Sequence, residues 1–435
     1  MDLITDEDEK IRVKPKKRRI KKKSIAILIC IVVLIILLIV GLIYFKKKNN
    51  NQKLEEEKVA LIKEIESHYG DYVKVINDTK LYNEERKEIG KIYKNQELEL
   101  IKEDFDDKTE YFKINDLGLV SYLDVLPINE LIKSDERYKN YIPFNKNIVL
   151  KENYTLYNEN GDKAYSFKES DEYPILIDDY DGKYYIEYQN KLMYVLKDDV
   201  LKTVEHDNST KKNAAKVTTL CYHRIYDETQ KCNDIYVCKK MANFDKEMKY
   251  LKDNNYYTFT MEEMYLYLTG KLQIEKAVLV TLDDGWLVKH AIEILEKYDL
   301  KGTSFVKTGA WDDLSEFEST ALELHSHTDD MHTPGVCKKE QSYQQGGGIL
   351  CLSEDKVLED LTKSRDKLNG AIALAYPFYD YNDRAMKLVK KAGFKMAFIG
   401  AGGTNGKASP GVNLYKIPRM TIWDTTSFNT WKSYL

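Results

Sequence analysis

Two short stretches hold the side chains best suited to chemistry. The first, Val278-Leu-Val-Thr-Leu-Asp283-Asp284-Gly285-Trp286, is a run of β-formers that ends in two adjacent carboxylates and a glycine. The second, Glu323-Leu-His325-Ser-His327-Thr-Asp-Asp-Met-His332, places three histidines within eight residues. Successive side chains on a strand point to opposite faces, so Asp283 and Asp284 at a strand end meet different neighbours. One carboxylate is then available to a metal while the other stays free to move protons. An aspartate and two histidines leave a position open to water, the layout of a catalytic rather than a structural metal site. Asp-Asp-Gly by itself is ordinary turn chemistry. What argues for a site is the hydrophobic strand running straight into the acidic pair, with the histidines about forty residues later. His325, on the strand itself, faces away from the neighbours of His327 and is left out of the set.

These motifs resemble those of the polysaccharide deacetylases of NodB-homology type, in the carbohydrate esterase group. That family opens with Thr-Phe-Asp-Asp-Gly, and this chain has Thr281-Leu-Asp-Asp-Gly285. Its second motif, Ser-His-Thr followed by a further His, is matched by Ser326-His327-Thr328-Asp-Asp-Met-His332. The five-residue step between the histidines is similar to the poly-N-acetylglucosamine deacetylase branch. That branch also carries a Tyr-His segment upstream, matched by Tyr222-His223. Ala375-Tyr376-Pro377-Phe378-Tyr379 resembles the third motif, with Tyr379 where the family has glycine. The resemblance covers about residues 217–435, half the chain.

The resemblance implies roles. Asp284, His327 and His332 would hold a divalent cation, zinc first, although such a set also accepts cobalt, nickel or iron. Asp283 would be the general base. No histidine follows His332, so His223 is the expected general acid, as in the branch where the acid lies upstream. Tyr376, Phe378 and Tyr379 are expected on the substrate side, with a backbone N–H of Phe378 or Tyr379 completing an oxyanion hole. Arg419 is grouped with this substrate-side set and resembles an arginine near the family's active centre that fixes the base carboxylate. Trp286 and Trp311 are suited either to stacking on a sugar ring or to core packing.

The elements that must position these residues alternate strand and helix. Val217–Tyr222, Ala277–Leu282, Gly302–Val306, Ala371–Tyr376 and Met396–Ile399 read as strands. Residues 244–254, 287–298, 358–368 and 383–392 read as helices between them. That alternation implies βα units on a parallel sheet, and the family's fold is a distorted (β/α) barrel. Sites in such barrels lie at the C-terminal strand ends.

Upstream, 69–135 and 139–203 read as two small all-β modules. Leu81-Tyr-Asn-Glu84 recurs as Leu156-Tyr-Asn-Glu159, and such self-similarity marks tandem units. They faintly resemble bacterial Src-homology-3-like modules, which would bind cell-wall glycopeptide, and a spacer role stays equally open. Residues 204–216 read as a polar linker.

The formal net charge is −4. Residues 1–53 carry +9, which leaves −13 on the rest, a balance against nucleic-acid binding. Residues 25–45 are an apolar run long enough to cross a bilayer. The expected layout is a basic cytoplasmic tail (1–23), a transmembrane helix (24–45) and a stalk (46–68). The heavier basic flank stays inside, so the later domains are expected outside the cell. There, Cys232 with Cys238 and Cys337 with Cys351 are suited to disulfides, leaving Cys221 beside His223. The 337–351 loop, directly after His332, is expected at the mouth of the groove.

The activity implied is removal of N-acetyl groups from amino sugars of a surface polysaccharide, either peptidoglycan N-acetylglucosamine or poly-N-acetylglucosamine. The alternatives are an O-acetyl esterase on the same fold and a catalytically idle wall-binding protein.

Overall fold

The structure, a computed structural model, describes residues 40–41, 44–53, 56, 60, 71–101, 111–131, 135–230, 232, 234–338, 346–400 and 406–435. Most of the expected membrane span and the cytoplasmic tail lie outside these residues. Among the described residues no helix is long and apolar enough to cross a membrane.

The described part of 71–205 is β-structure with short 3-10 turns. The sequence repeat reappears in the strands. Thr79–Tyr82, Glu88–Ile92 and Glu97–Glu99 correspond, 75 residues later, to Tyr154–Tyr157, Lys163–Phe167 and Glu172–Pro174. The two copies are not separate bodies, however. Lys163–Phe167 pairs antiparallel with Glu88–Ile92, so one nine-stranded sheet runs through both. Val73, Leu81 and Phe112 of the first copy share a core with Ile148, Leu156 and Ile186 of the second.

The C-terminal half is an α/β half-barrel. Its strands are β1 (Val217–Tyr222), β2 (Tyr257–Thr258), β3 (Ala277–Asp284), β4 (Gly302–Val306), β5 (Leu322–Ser326), β6 (Ala373–Ala375) and β7 (Met396–Phe398). They lie parallel in the order β7-β6-β5-β4-β3-β1, with β2 beside β3. β3 and β4 are buried along their whole length, and β1 likewise, as expected for a parallel sheet covered on both faces. The ends of the sheet are joined through 417–421. Ile417 bridges to Phe398 of β7, and Met420 and Thr421 pair with Leu220 and Cys221 of β1.

The helices are α1 (Met241–Asp253), α2 (Met261–Leu268), α3 (Val288–Tyr298), α4 (Glu354–Lys367), α5 (Asp383–Lys391) and α6 (Phe428–Lys432). α2 starts with a reciprocal capping box between Thr260 and Glu263, which satisfies two otherwise orphaned backbone donors.

The β-region is fused to the base of this half-barrel. Tyr141 and Ile177 make β-bridges to Ile274 and Leu272, just before β3. Tyr138, Leu176 and Leu192 share a core with Phe259, Met264 and Leu279. The segment expected as a linker is pinned as well. Asn208 Nδ2 donates to the Phe144 carbonyl at 2.7 Å, and Ile274 N donates to Asn213 Oδ1 at 2.9 Å.

Candidate active site

β3 delivers both aspartates to the C-terminal end of the sheet, and the backbone aims them apart. Asp283 keeps strand geometry and turns inward. Asp284 has φ 75° and Gly285 φ 84°, so the chain swings its second carboxylate toward the mouth. A left-handed non-glycine residue costs about 1–3 kcal/mol and is held only by its surroundings. Glycine suits position 285, because its φ is strained for any side chain and a Cβ there would crowd Val306 at 3.2 Å and the Trp311 indole nitrogen at 3.3 Å.

Asp284 meets the two expected histidines. Its Oδ1 lies 3.8 Å from His327 Nε2 and 3.5 Å from His332 Nε2. One donor atom from each of the three lies within 4.8 Å of the others. His327 follows β5 directly, and its Nδ1 donates to the Ala375 carbonyl at 2.8 Å. That bond fixes the tautomer and leaves the Nε2 lone pair facing Asp284, the usual arrangement behind a metal-bound imidazole. His332 is placed by a pinned loop. Asp360 of α4 accepts from the backbone N–H of Asp329 and Asp330 at 2.8 and 2.7 Å. Lys367 donates to Asp329 at 2.7 Å. The His332 ring packs on His327 and on Phe378, with centroids 4.6 and 4.2 Å apart.

The chemistry of this donor set fits a divalent cation. Asp284 Oδ1 is buried and accepts no hydrogen bond, although Lys307 Nζ stands 3.4 Å away. A buried carboxylate oxygen without a hydrogen bond is costly unless something else takes it. Burial and the neighbouring His327 pull His332 down to about 3. Burial also lowers His327, outweighing the attraction of Asp283 and Asp284. Both rings are therefore neutral near pH 7, the form that ligates.

Asp283 has different company. Arg419, fully buried, donates to both its oxygens at 2.6 and 2.8 Å. Burial alone would raise the carboxyl. The Arg419 charge outweighs it, with help from His327, and holds Asp283 far below the usual carboxylate range. Such two-pronged, charge-assisted pairs fix orientation as well as charge. His223, at the end of β1, joins Asp283 and Cys221 in a second cluster with atoms within 4.8 Å. Its Nδ1 is buried without a hydrogen bond.

Three expectations are corrected. Tyr376 does not reach the site, because it is fully buried and its hydroxyl donates to the Tyr415 carbonyl at 3.0 Å. Tyr379 adopts φ 59° in place of glycine. Its N–H is taken by the Tyr376 carbonyl at 3.0 Å, and its hydroxyl turns to Thr421 at 3.1 Å. Neither its amide nor its hydroxyl is free for an oxyanion. Arg419, grouped with the substrate-side set, is sealed behind Asp283 instead, where it holds that carboxylate. Of the expected substrate-side set only Phe378 faces the histidines.

Both cysteine pairs form disulfides, Cys232–Cys238 and Cys337–Cys351. Residues 339–345 of the second loop lie outside the described residues. Its end abuts the site, with Phe378 at 2.9 Å from a Cβ placed on Gly347. His325 sits apart, against Glu323 at 3.7 Å. Sequence reasoning missed Lys307, one residue past β4. A basic residue one step beyond a barrel strand was the available signal.

Residues 271–397, which include Asp283, Asp284, His327 and His332, match the profile of the family described as polysaccharide deacetylase. The chain therefore carries a polysaccharide deacetylase domain. It is therefore an enzyme, and the deacetylase domain lies in its C-terminal half. The chain is 28% identical over 246 residues to the poly-beta-1,6-N-acetyl-D-glucosamine N-deacetylase of Staphylococcus aureus strain MRSA252, covering 49% of this chain and 80% of that protein. Among solved structures it is similar to the Streptococcus pyogenes deacetylase PplD in complex with acetate (26% identity, TM-score 0.40, 51% of this chain and 99% of that one). It is also similar to IcaB from Ammonifex degensii (21% identity, TM-score 0.42, 52% and 99%).

Proposed function

We propose that this chain is a metal-dependent hydrolase that removes N-acetyl groups from amino sugars of a cell-surface polysaccharide. The carrying observation is the unsatisfied Asp284 oxygen facing two neutral imidazoles, one residue from a carboxylate locked by Arg419. Asp284, His327 and His332 would hold the cation, zinc first. A cation there supplies Lewis acidity, which acidifies water and polarises an amide carbonyl.

The chain's own residues do the rest. Asp283, anionic and rigidly oriented, accepts the proton of the attacking water. The new C–O bond forms as that O–H bond breaks. His223 gives a proton to the amide nitrogen as its C–N bond breaks, leaving acetate and a free amine. Cys221 takes no part as a nucleophile, because burial pushes its thiol up to about 12 and the thiolate is the reactive form. Phe378 packs on His332 and limits water at that side.

The amino-sugar reading is supported by the Staphylococcus aureus relatives, whose names state that substrate. Both peptidoglycan N-acetylglucosamine and exported poly-N-acetylglucosamine suit this site. A location at the cell membrane, with the domains outside, is supported by the apolar run 25–45 and its basic flank.

The test is acetate release from N-acetylated and O-acetylated glycans by the chelated protein, before and after zinc or cobalt is returned. Metal-restored release from the N-acetylated glycan is expected. Release only from O-acetyl groups would make the protein an esterase, and no release from either would leave a wall-binding protein.

A further inference from the structure

The strand order puts an exposed tryptophan on each side of the expected acid. β1, whose end carries His223, lies between β3 and 417–421. β3 runs on into Trp286, which is 40% exposed, and 417–421 runs on into Trp423, which is 41% exposed. Strand spacing is about 4.8 Å, so the two roots stand roughly 10 Å apart across His223.

Each tryptophan is buttressed rather than loose. Trp286 packs on Trp311, centroids 5.0 Å apart. Trp423 meets Tyr236 edge-on at 5.5 Å, and Tyr236 is itself 61% exposed on the Cys232–Cys238 loop. The residue after Trp423 is tied down, since Asp424 accepts from Lys240 N at 3.1 Å and from the Tyr226 hydroxyl at 3.2 Å. Arg224 joins the two platforms. Its N–H donates to the Val237 carbonyl at 2.8 Å, and its guanidinium lies 6.0 Å from the Trp286 ring. Exposed aromatics collected on rigid supports at the rim of a site mark a binding surface.

We propose that Trp286 and the Trp423–Tyr236 pair are stacking platforms for sugar rings on the two sides of the reacting residue, so that the enzyme grips the interior of a polymer. This rests on the deacetylase reading above. The apolar C–H face of a pyranose ring suits an exposed indole, and Arg224 between the platforms offers donors to hydroxyl and acetyl oxygens. The surface is continuous with the metal-binding group, because Lys307 touches both Asp284 (3.4 Å) and the Trp286 face (5.9 Å).

The test uses the full chain and a ladder of N-acetylglucosamine oligomers from dimer to hexamer. Trp286→Ala and Trp423→Ala should each raise KM for the hexamer about 3- to 10-fold, the range of one aromatic contact. KM for the dimer and kcat should stay within about twofold. Trp286→Phe and Trp423→Phe should restore most of the loss. Binding of the hexamer to the Asp283→Asn protein, measured without turnover, should fall in the same Ala variants. Equal losses on every length, or unchanged hexamer binding in both Ala variants, overturns the proposal. Absence of acetate release with platform-dependent hexamer binding would sink the deacetylase reading and leave the platforms standing.

Discussion

The half-barrel buries carboxylates at both ends, and the two ends treat them differently. At the base, Glu263 is surrounded by donors. Arg137 Nε reaches its Oε1 at 3.2 Å, the Tyr141 hydroxyl at 2.8 Å and the Thr260 N–H its Oε2 at 2.8 Å, with Tyr257 bonded as well. At the mouth, Asp284 Oδ1 is buried and accepts no hydrogen bond. Glu263 and its partners Arg137, Tyr141, Tyr257 and Thr260 all have ordinary backbone, whereas Asp284, Leu287, Thr328, Phe378 and Tyr379 around the mouth all have positive φ. A saturated carboxylate holds the β-region to the barrel. An unsaturated one on strained backbone is kept for something that arrives later. Burial alone, nearly equal for the two residues, would not have told them apart.

The sharpest way to break this comparison is to remove the mouth. His327→Ala should lose bound metal and all measurable turnover, read by metal content after dialysis and by acetate release. Asp283→Asn should keep its metal yet lose about 10²–10⁴-fold in kcat, the span assigned to a positioned proton acceptor. If the two variants behaved alike in metal content, the division between neighbouring carboxylates would be wrong.

Breaking the base should leave chemistry intact and cost stability. Arg137→Met leaves Glu263 buried without its cation, at a cost of about 3 kcal/mol, the low end for a buried pair because Arg137 is partly exposed. kcat should be unchanged while thermal unfolding shifts down. The pH dependence should change sign too. Burial would raise Glu263, but Arg137 outweighs it and sets the carboxyl below its ordinary value of 4.5. The unfolded chain therefore binds the proton more readily. This contribution is full above about pH 4.5 and fades as pH falls through the lower folded value. Without Arg137, burial dominates and the folded state takes up the proton first, so acid should relieve the variant rather than harm it. Unfolding scans of both proteins from pH 3.5 to 7 would show it.

Much of the mouth was legible because its residues are close in sequence. The Asp pair ends a β-branched run, and the histidines follow a strand, so local pattern and site coincide. β1, β3, β4 and β7 were legible for the same reason. Other parts depend on pairings that local pattern does not encode. The joining of Lys163–Phe167 to Glu88–Ile92 merges two repeats into one sheet, yet either hairpin reads the same alone. α2 is buried nearly all round, so it shows no amphipathic stripe. The bridge at 417–421 is two residues of strand and an arginine, too short for any period to register. Tyr376 looked like a site residue because its motif neighbours are. Only the packing shows its hydroxyl pointing at Tyr415.

The smallest expected effect concerns Lys307, the residue that makes the mouth less empty than it first looks. Its ammonium stands 3.4 Å from the same Asp284 oxygen that faces the histidines. A cation arriving there must displace that contact and then sit close to a like charge. Both effects weaken metal binding, and at a partly solvated mouth they amount to about 1 kcal/mol. Lys307→Met should therefore bind zinc about fivefold more tightly, measured by competition with a chelator and independent of turnover. The gain should shrink as salt is raised, because a partly exposed charge is screened. Weaker zinc binding in the variant would mean that Lys307 orients Asp284 for the metal, and the mouth would then resemble the base more closely than its unsatisfied oxygen suggests.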